Sequence, residues 1–257
     1  MMKKFWEFKA SSGGNAGDLH IYGDIVTYRW DDFPEDHNAT SFKADLDALG
    51  DIDELNLYIN SPGGSVFQGN AIYSILKRHK AKVNVHVDGL AASIASVIAM
   101  SGDTIFMPAN AMMMIHNPWT VSIGNAADFR KAADDLDKMR ESLISAYLAK
   151  AEDKLDRDTL VALLDNETWL TAQECFDYGL CDVVEDAKEI AASVNTEFFS
   201  KYKNTPKDLM EIASKTKEKP VNQQEGVEKE QKIRQKLIEE AKSNIETTNL
   251  ILGGLTR

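Results

Sequence analysis

Strand-like and helix-like segments alternate along most of this 257-residue chain, and that alternation restricts it to an α/β architecture. Residues 18–28 read as a pair of strands broken at Gly23, and Leu55–Asn60 as a further strand. After Ser61-Pro62-Gly63-Gly64 a helix is expected from Phe67 to Arg78, with Ile72, Ile75 and Leu76 at helical spacing. Val83, Val85 and Val87 alternate with Asn84, His86 and Asp88, which predicts a strand with one polar face over residues 82–88. A helix from about Ala92 to Met100 follows, then short strands at Thr104–Met107 and Met112–Ile115.

The longest helix is expected from Asn125 to about Lys150, with Phe129, Ala133, Leu136, Met139, Leu143 and Tyr147 on one face. Asp158–Leu164 reads as a shorter helix. Thr171 suits the N-cap of another running through Phe176, and Val183-Val184 as a last strand. Beyond about Asp186 the composition changes. Residues 200–232 are polar, with Pro206 and Pro220, and read as a linker. Ile233, Leu237, Ile238, Ala241 and Ile245 then form a narrow apolar stripe, stopped by Gly253-Gly254. Two parts result: a domain over 1–186, and a polar linker with a helical tail over 187–257.

Charge and cysteine content narrow the function classes. A net charge of −12 argues against non-specific nucleic-acid binding and gives no reason to expect attraction to anionic membranes. Cys175 and Cys181 stand outside any CxxC pattern and are expected to be buried as small apolar residues, neither paired nor bound to metal. The N-terminus carries no apolar signal-like run, and no stretch approaches a membrane span, so a cytoplasmic location is expected.

Ser93, in Gly89-Leu90-Ala91-Ala92-Ser93, stands where an alternating strand gives way to a helix start, with small neighbours that leave room for a substrate backbone. A serine hydroxyl needs a base to remove its proton, and the base needs something to orient it. Ser96, one turn on, is the alternative nucleophile. Asn60-Ser61-Pro62-Gly63-Gly64-Ser65 ends a strand in a turn whose N–H groups no side chain covers, which suits an oxyanion hole or an extended peptide laid alongside. His116 follows the apolar strand 112–115. Its near-neutral pKa suits proton exchange with a serine. His20 and His86 lie in strands, His37 in a polar loop, and His79 at a helix end. Asp165 is the candidate orienting carboxylate, with Asp158, Glu167 and Asp177 as competitors.

Taken together, Tyr58-Ile59-Asn60-Ser61-Pro62-Gly63-Gly64, Gly89-Leu90-Ala91-Ala92-Ser93, Met114-Ile115-His116-Asn117-Pro118 and Trp169-Leu170-Thr171-Ala172 through Tyr178-Gly179-Leu180-Cys181-Asp182 resemble the Clp protease proteolytic subunit (ClpP) family. Within it, they are most similar to the ClpP-like head maturation proteases of phages and prophages. The resemblance covers roughly residues 18–186. It implies a spiral of ββα units, shared with crotonases, in which the long helix is a handle that pairs rings. It also implies a serine endopeptidase without cofactor or metal, working without ATP. Ser93 would be the nucleophile, His116 the base and then acid, and Asp165 the orienting group. Gly64 and Ile94 N–H groups would form the oxyanion hole, and the Gly63-Gly64-Ser65 turn would hold substrate as an added strand. The implied assembly is a homo-oligomeric ring or stacked rings, acting on protein or peptide substrates, capsid or scaffold proteins among them, within procapsids in the host cytoplasm. The N-terminal segment does not match the family's axial loops, which leaves an unfoldase partner open.

Three other readings compete. A housekeeping-type Clp subunit working with an unfoldase shares the same site. A crotonase-type acyl-CoA enzyme shares the spiral and a backbone oxyanion hole but usually relies on acidic residues, so the Ser93 and His116 pair weighs against it. A catalytically inactive assembly protein would have no need of all three triad candidates. A Ser–Lys peptidase finds only Lys80 and Lys82 upstream, neither in suitable context.

Overall fold

β1 (Trp6–Ala10) and β2 (Ala16–Tyr22) open the chain as an antiparallel pair. From β2 onward the sheet is parallel: β2 pairs β3 (Glu54–Ser61), β3 pairs β4 (Lys82–Ala92), β4 pairs β5 (Thr104–Pro108), and β5 pairs β8 (Val183–Glu185). α1 (Ala39–Asp47), α2 (Val66–Lys77) and α3 (Ile94–Ala99) connect these strands. The computed structural model describes residues 4–10, 15–26, 38–188 and 202–207. The helix expected at 233–245 and most of the expected linker lie outside them.

Register follows from burial. Leu55, Leu57, Ile59, Val83, Val85 and Val87 all point into the core at 2% exposure or less, while Asn56, Tyr58, Asn84 and His86 face the other way. Burying one such aliphatic side chain is worth roughly 1.5–3 kcal/mol, so a one-residue slip of β4 would forfeit three at once. On the opposite face the in-register residues His20, Tyr58, His86 and Phe106 stack across four strands, with ring centroids 4.7, 5.0 and 4.8 Å apart.

β4 is longer than its alternating pattern indicates. It continues through Gly89-Leu90-Ala91-Ala92, past a register irregularity against β3 at Ile59/Ser61, and the following helix starts at Ile94 rather than Ala92. The first half of β4 pairs β5. Its second half pairs β6 (Met112–Ile115), which in turn pairs antiparallel with β7 (Thr168–Thr171). The strand therefore exchanges β5 for β6 on one side just before Ser93, while Ala91 stays paired with Ser61 of β3 on the other. The expected strand pair at 18–28 is one strand followed by a single bridge between Ile25 and Gly64, with residues 27 and 28 outside the described range.

α4 (Ala126–Ala151) begins with a reciprocal cap between Asn125 and Asp128. Nothing on it is buried before Leu143; from there Leu143, Ile144, Ala146, Tyr147 and Ala151 are. The apolar face expected from Phe129 onward thus has two fates, because only its C-terminal third meets the core, and Phe129 stays half exposed. α5 (Arg157–Asp165) and α6 (Ala172–Asp177) complete the fold, the latter capped by Thr171 and Glu174. Cys175 and Cys181 are buried and unpaired, as expected of small apolar residues. Among the described residues no helix is long and apolar enough to cross a membrane.

Candidate active site

Ser93 occupies the elbow where β4 gives way to α3, with φ 54° and ψ −128°. A positive φ on a non-glycine residue costs on the order of 1–3 kcal/mol and persists only where the surroundings hold it. Three contacts do so. The Ser93 N–H donates to the Met114 carbonyl at 2.8 Å, and the Ser93 carbonyl accepts from the N–H and hydroxyl of Ser96. Gly63 packs so closely that a Cβ there would lie 2.7 Å from both Ser93 Cβ and the Ala92 carbonyl oxygen. Ser96, the alternative nucleophile, is fully buried, and its hydroxyl is shared between the Ser93 carbonyl and the hydroxyl of buried Tyr147. It braces the elbow from within and has no access to the cleft.

His116 lies one residue beyond β6. Because Ala92 pairs with Met114 in parallel register, the two chains deliver Ser93 and His116 to the same end of the sheet. His116 Nε2 stands 2.7 Å from the Ser93 hydroxyl. The imidazole is 9% exposed, and burial holds its pKa below the ordinary 6.5, with the charge of Glu167 acting weakly the other way. At neutral pH the ring is therefore in the form that accepts a proton.

The carboxylates sit on the turn between α5 and β7. Asp165 ends α5, half exposed, and accepts hydrogen bonds from Asn117 Nδ2 and Arg140 Nη2, each at 2.7 Å. Among the described residues no hydrogen bond joins it to His116. Glu167 adopts φ 49° and accepts from the Asn204 N–H at 2.8 Å. Asp165 and Glu167 both line a cavity of about 560 Å³ shared with His116.

The Pro-Gly-Gly turn is fixed from behind by Ile25. The Ile25 N–H donates to the Gly63 carbonyl at 2.8 Å, and the Ser65 N–H donates to the Ile25 carbonyl at 2.6 Å. A Cβ on Gly64, at φ +147°, would lie 2.0 Å from that same carbonyl oxygen, so only glycine fits. Neither of these two bonds to Ile25 uses the Gly64 N–H. The Ile94 N–H, in the first turn of α3, has no acceptor within its helix. Ser65, by contrast, spends its N–H on Ile25 and its hydroxyl on capping α2. Gly63, Gly64, Ser65, Ser93 and His116 all line one cavity of about 330 Å³, with Tyr202 in its wall.

Sequence reasoning passed over Tyr202, which falls in the polar stretch read as linker. Its hydroxyl donates to the Pro62 carbonyl, and its ring stands edge-on to His116 at 5.5 Å and to Trp169 at 5.9 Å. The available signal was that Phe198, Phe199 and Tyr202 are the aromatic residues of an otherwise polar tail. Among the described residues no group of His, Cys, Asp and Glu is arranged to hold a metal.

A serine on a strained elbow with a buried neutral histidine in contact with its hydroxyl is the core of an acyl-transfer hydrolase. The sequence profile of the Clp protease family matches residues 35–188. The chain is also 38% identical, over 155 residues, to the ATP-dependent Clp protease proteolytic subunit of Leuconostoc citreum (strain KM20), an alignment that spans 58% of this chain and 76% of that protein. The chain belongs to the Clp protease family, and its mixed α/β fold with an eight-stranded sheet is consistent with that membership.

Proposed function

We propose that the protein is a serine endopeptidase in which Ser93 attacks the peptide carbonyl and His116 first accepts the serine proton, then returns it to the leaving amine. The 2.7 Å contact between the Ser93 hydroxyl and His116 Nε2 carries this reading. The Gly64 and Ile94 N–H groups receive the developing oxyanion, a contribution that in comparable sites amounts to about 10²–10³ in kcat for a single donor. Water then hydrolyses the acyl-enzyme by the same proton route in reverse. Two carboxylates beside His116 are candidates to support its imidazolium: Glu167, which lines the same cavity and whose charge favours the protonated ring, and Asp165. Asp165, the carboxylate the family resemblance implies, is held by Arg140 and Asn117 and takes that role by exchanging them for the histidine.

The substrate is an extended polypeptide laid against the Gly63-Gly64 edge, and the physiological role we favour is head maturation in a prophage. The exposed first two thirds of α4, with Val121 and Ile123 more than four-fifths exposed beside it, supports assembly into rings that pair through this handle. The competing role is a housekeeping Clp subunit served by an ATP-driven unfoldase, which the name of the Leuconostoc citreum relative favours. Incubation with capsid and scaffold proteins, with and without Ser93→Ala, decides between them. Cleavage of folded assembly proteins without ATP, absent in the variant, supports maturation. Cleavage of unfolded protein alone, made efficient only by an added unfoldase and ATP, supports the housekeeping role. Undiminished cleavage by Ser93→Ala overturns the serine mechanism.

A further inference from the structure

Residues 202–204 lie outside the span that matches the family profile, yet they line both cavities of the site. The Tyr202 phenol donates to the Pro62 carbonyl, at the edge where an extended substrate would pair its own backbone. Ser93 and Tyr202 line the same cavity, together with Gly63 and Gly64. The Tyr202 ring closes over His116 and packs with Trp169 against the small apolar cluster of Leu90, Ala92 and Met114. Two residues on, the Asn204 N–H donates to Glu167, and its side-chain amide donates to the Asn166 carbonyl at 2.7 Å. One short segment of the chain itself thus contacts the base and the nearby carboxylate and walls the cavity that holds the nucleophile.

We propose that residues 202–204 form an intramolecular plug that competes with substrate for the cleft, so that the protein works at reduced rate unless the segment is displaced. This rests on the serine-peptidase reading. Tyr202 fills the cleft wall with its ring and gives its phenol to Pro62, so the plug occupies the site by side-chain contacts. Burial pushes the phenol pKa up to about 12, so it stays a neutral donor across the working pH range. A tethered segment acts at an effective concentration in the mM range, enough to outcompete a weakly bound peptide present at µM levels. Both contacts, the phenol on Pro62 and the amide on Glu167, must be broken before an extended chain can reach Ser93 and Gly64 together.

The test is the second-order rate of fluorophosphonate labelling of Ser93 in the full-length protein. Tyr202→Ala should label at least tenfold faster than the unaltered chain, and Asn204→Pro, which removes the N–H given to Glu167, should also accelerate labelling, to a smaller degree. Tyr202→Phe, which keeps the ring and loses the Pro62 bond, should fall between the two extremes. A synthetic peptide Ser-Lys-Tyr-Lys-Asn-Thr-Pro-Lys, matching residues 200–207, should slow labelling of Tyr202→Ala, and the same peptide with Ala for Tyr should not. If the unaltered protein labels on Ser93 and Tyr202→Ala labels no faster, the plug is wrong and the peptidase reading stands. If neither labels, both fall.

Discussion

Gly63→Ala separates positioning of the nucleophile from stability of the fold. Gly63 adopts φ +94°, a conformation that costs an L-residue on the order of 1–3 kcal/mol. The added Cβ would lie 2.7 Å from the Ala92 carbonyl oxygen, 2.7 Å from Ser93 Cβ and 3.2 Å from the Ile94 nitrogen. All three neighbours belong to the elbow, and none is the end of a flexible chain, so the elbow itself must move. A displacement of about 1 Å at a reacting group costs roughly 10²-fold in rate. The matched control is Gly102→Ala, whose Cβ would meet Val85 Cγ2 at 2.7 Å and Ile105 Cγ1 at 3.1 Å, inside the core and away from the cleft lining. Overpacking there also costs about 1–3 kcal/mol. Both variants should therefore lose Tm, on the order of 2–4 °C per kcal/mol for a domain of this size, Gly63→Ala the more because it carries backbone strain as well as overlap. Only Gly63→Ala should lose labelling and peptide hydrolysis by about 10²-fold. A Gly63→Ala protein that labels as fast as Gly102→Ala would refute the close packing of the Gly63 turn against Ser93 as the determinant of its position.

Ser96→Ala should leave labelling of Ser93 largely intact while costing about 1–3 kcal/mol in thermal or denaturant unfolding, since the buried Tyr147 hydroxyl loses its partner. Glu167→Gln removes the charge that favours protonated His116, so the acidic limb of the pH–rate profile should move to lower pH and kcat should fall; Asp165→Asn should leave that limb in place. Migration of the limb in Asp165→Asn alone would restore Asp165 as the orienting group. Because the His116 pKa is depressed below 6.5 in the folded state, the unfolded chain binds the extra proton first, and stability declines as pH falls from about 6.5 through the folded value. His116→Phe should flatten that part of the stability–pH curve relative to the unaltered protein, and an unchanged slope would contradict a buried neutral imidazole.

The elements that position the site were legible where a periodicity or a turn signal marked them. Alternating Val83, Val85 and Val87, the Pro62-Gly63-Gly64 turn and the apolar 112–115 strand each correspond to an observed element, and the Ser93–His116 contact joins two residues singled out by their chemistry and by the family resemblance. The extension of β4 to Ala92 was not legible, because Gly89-Leu90-Ala91-Ala92 has no alternation and owes its strand state to β6 alongside. β1 and α1 were passed over although Asn38 and Ser41 form a reciprocal cap and Phe42 and Leu46 share a face. Trp6 of β1 is buried edge-on against that same Phe42, a tertiary contact no local window contains. The carboxylates illustrate a different limit. Asp165 and Glu167 are two residues apart on one turn, and what distinguishes them is Arg140, supplied by α4 from another part of the chain.

Mass mapping of the residue modified by a fluorophosphonate, on the unaltered protein and on Ser93→Ala, tests the assignment of the nucleophile most directly. A single adduct on Ser93 that disappears in the variant, together with loss of peptide hydrolysis, is the expected result. An adduct on any other residue, or hydrolysis that survives in Ser93→Ala, would contradict it.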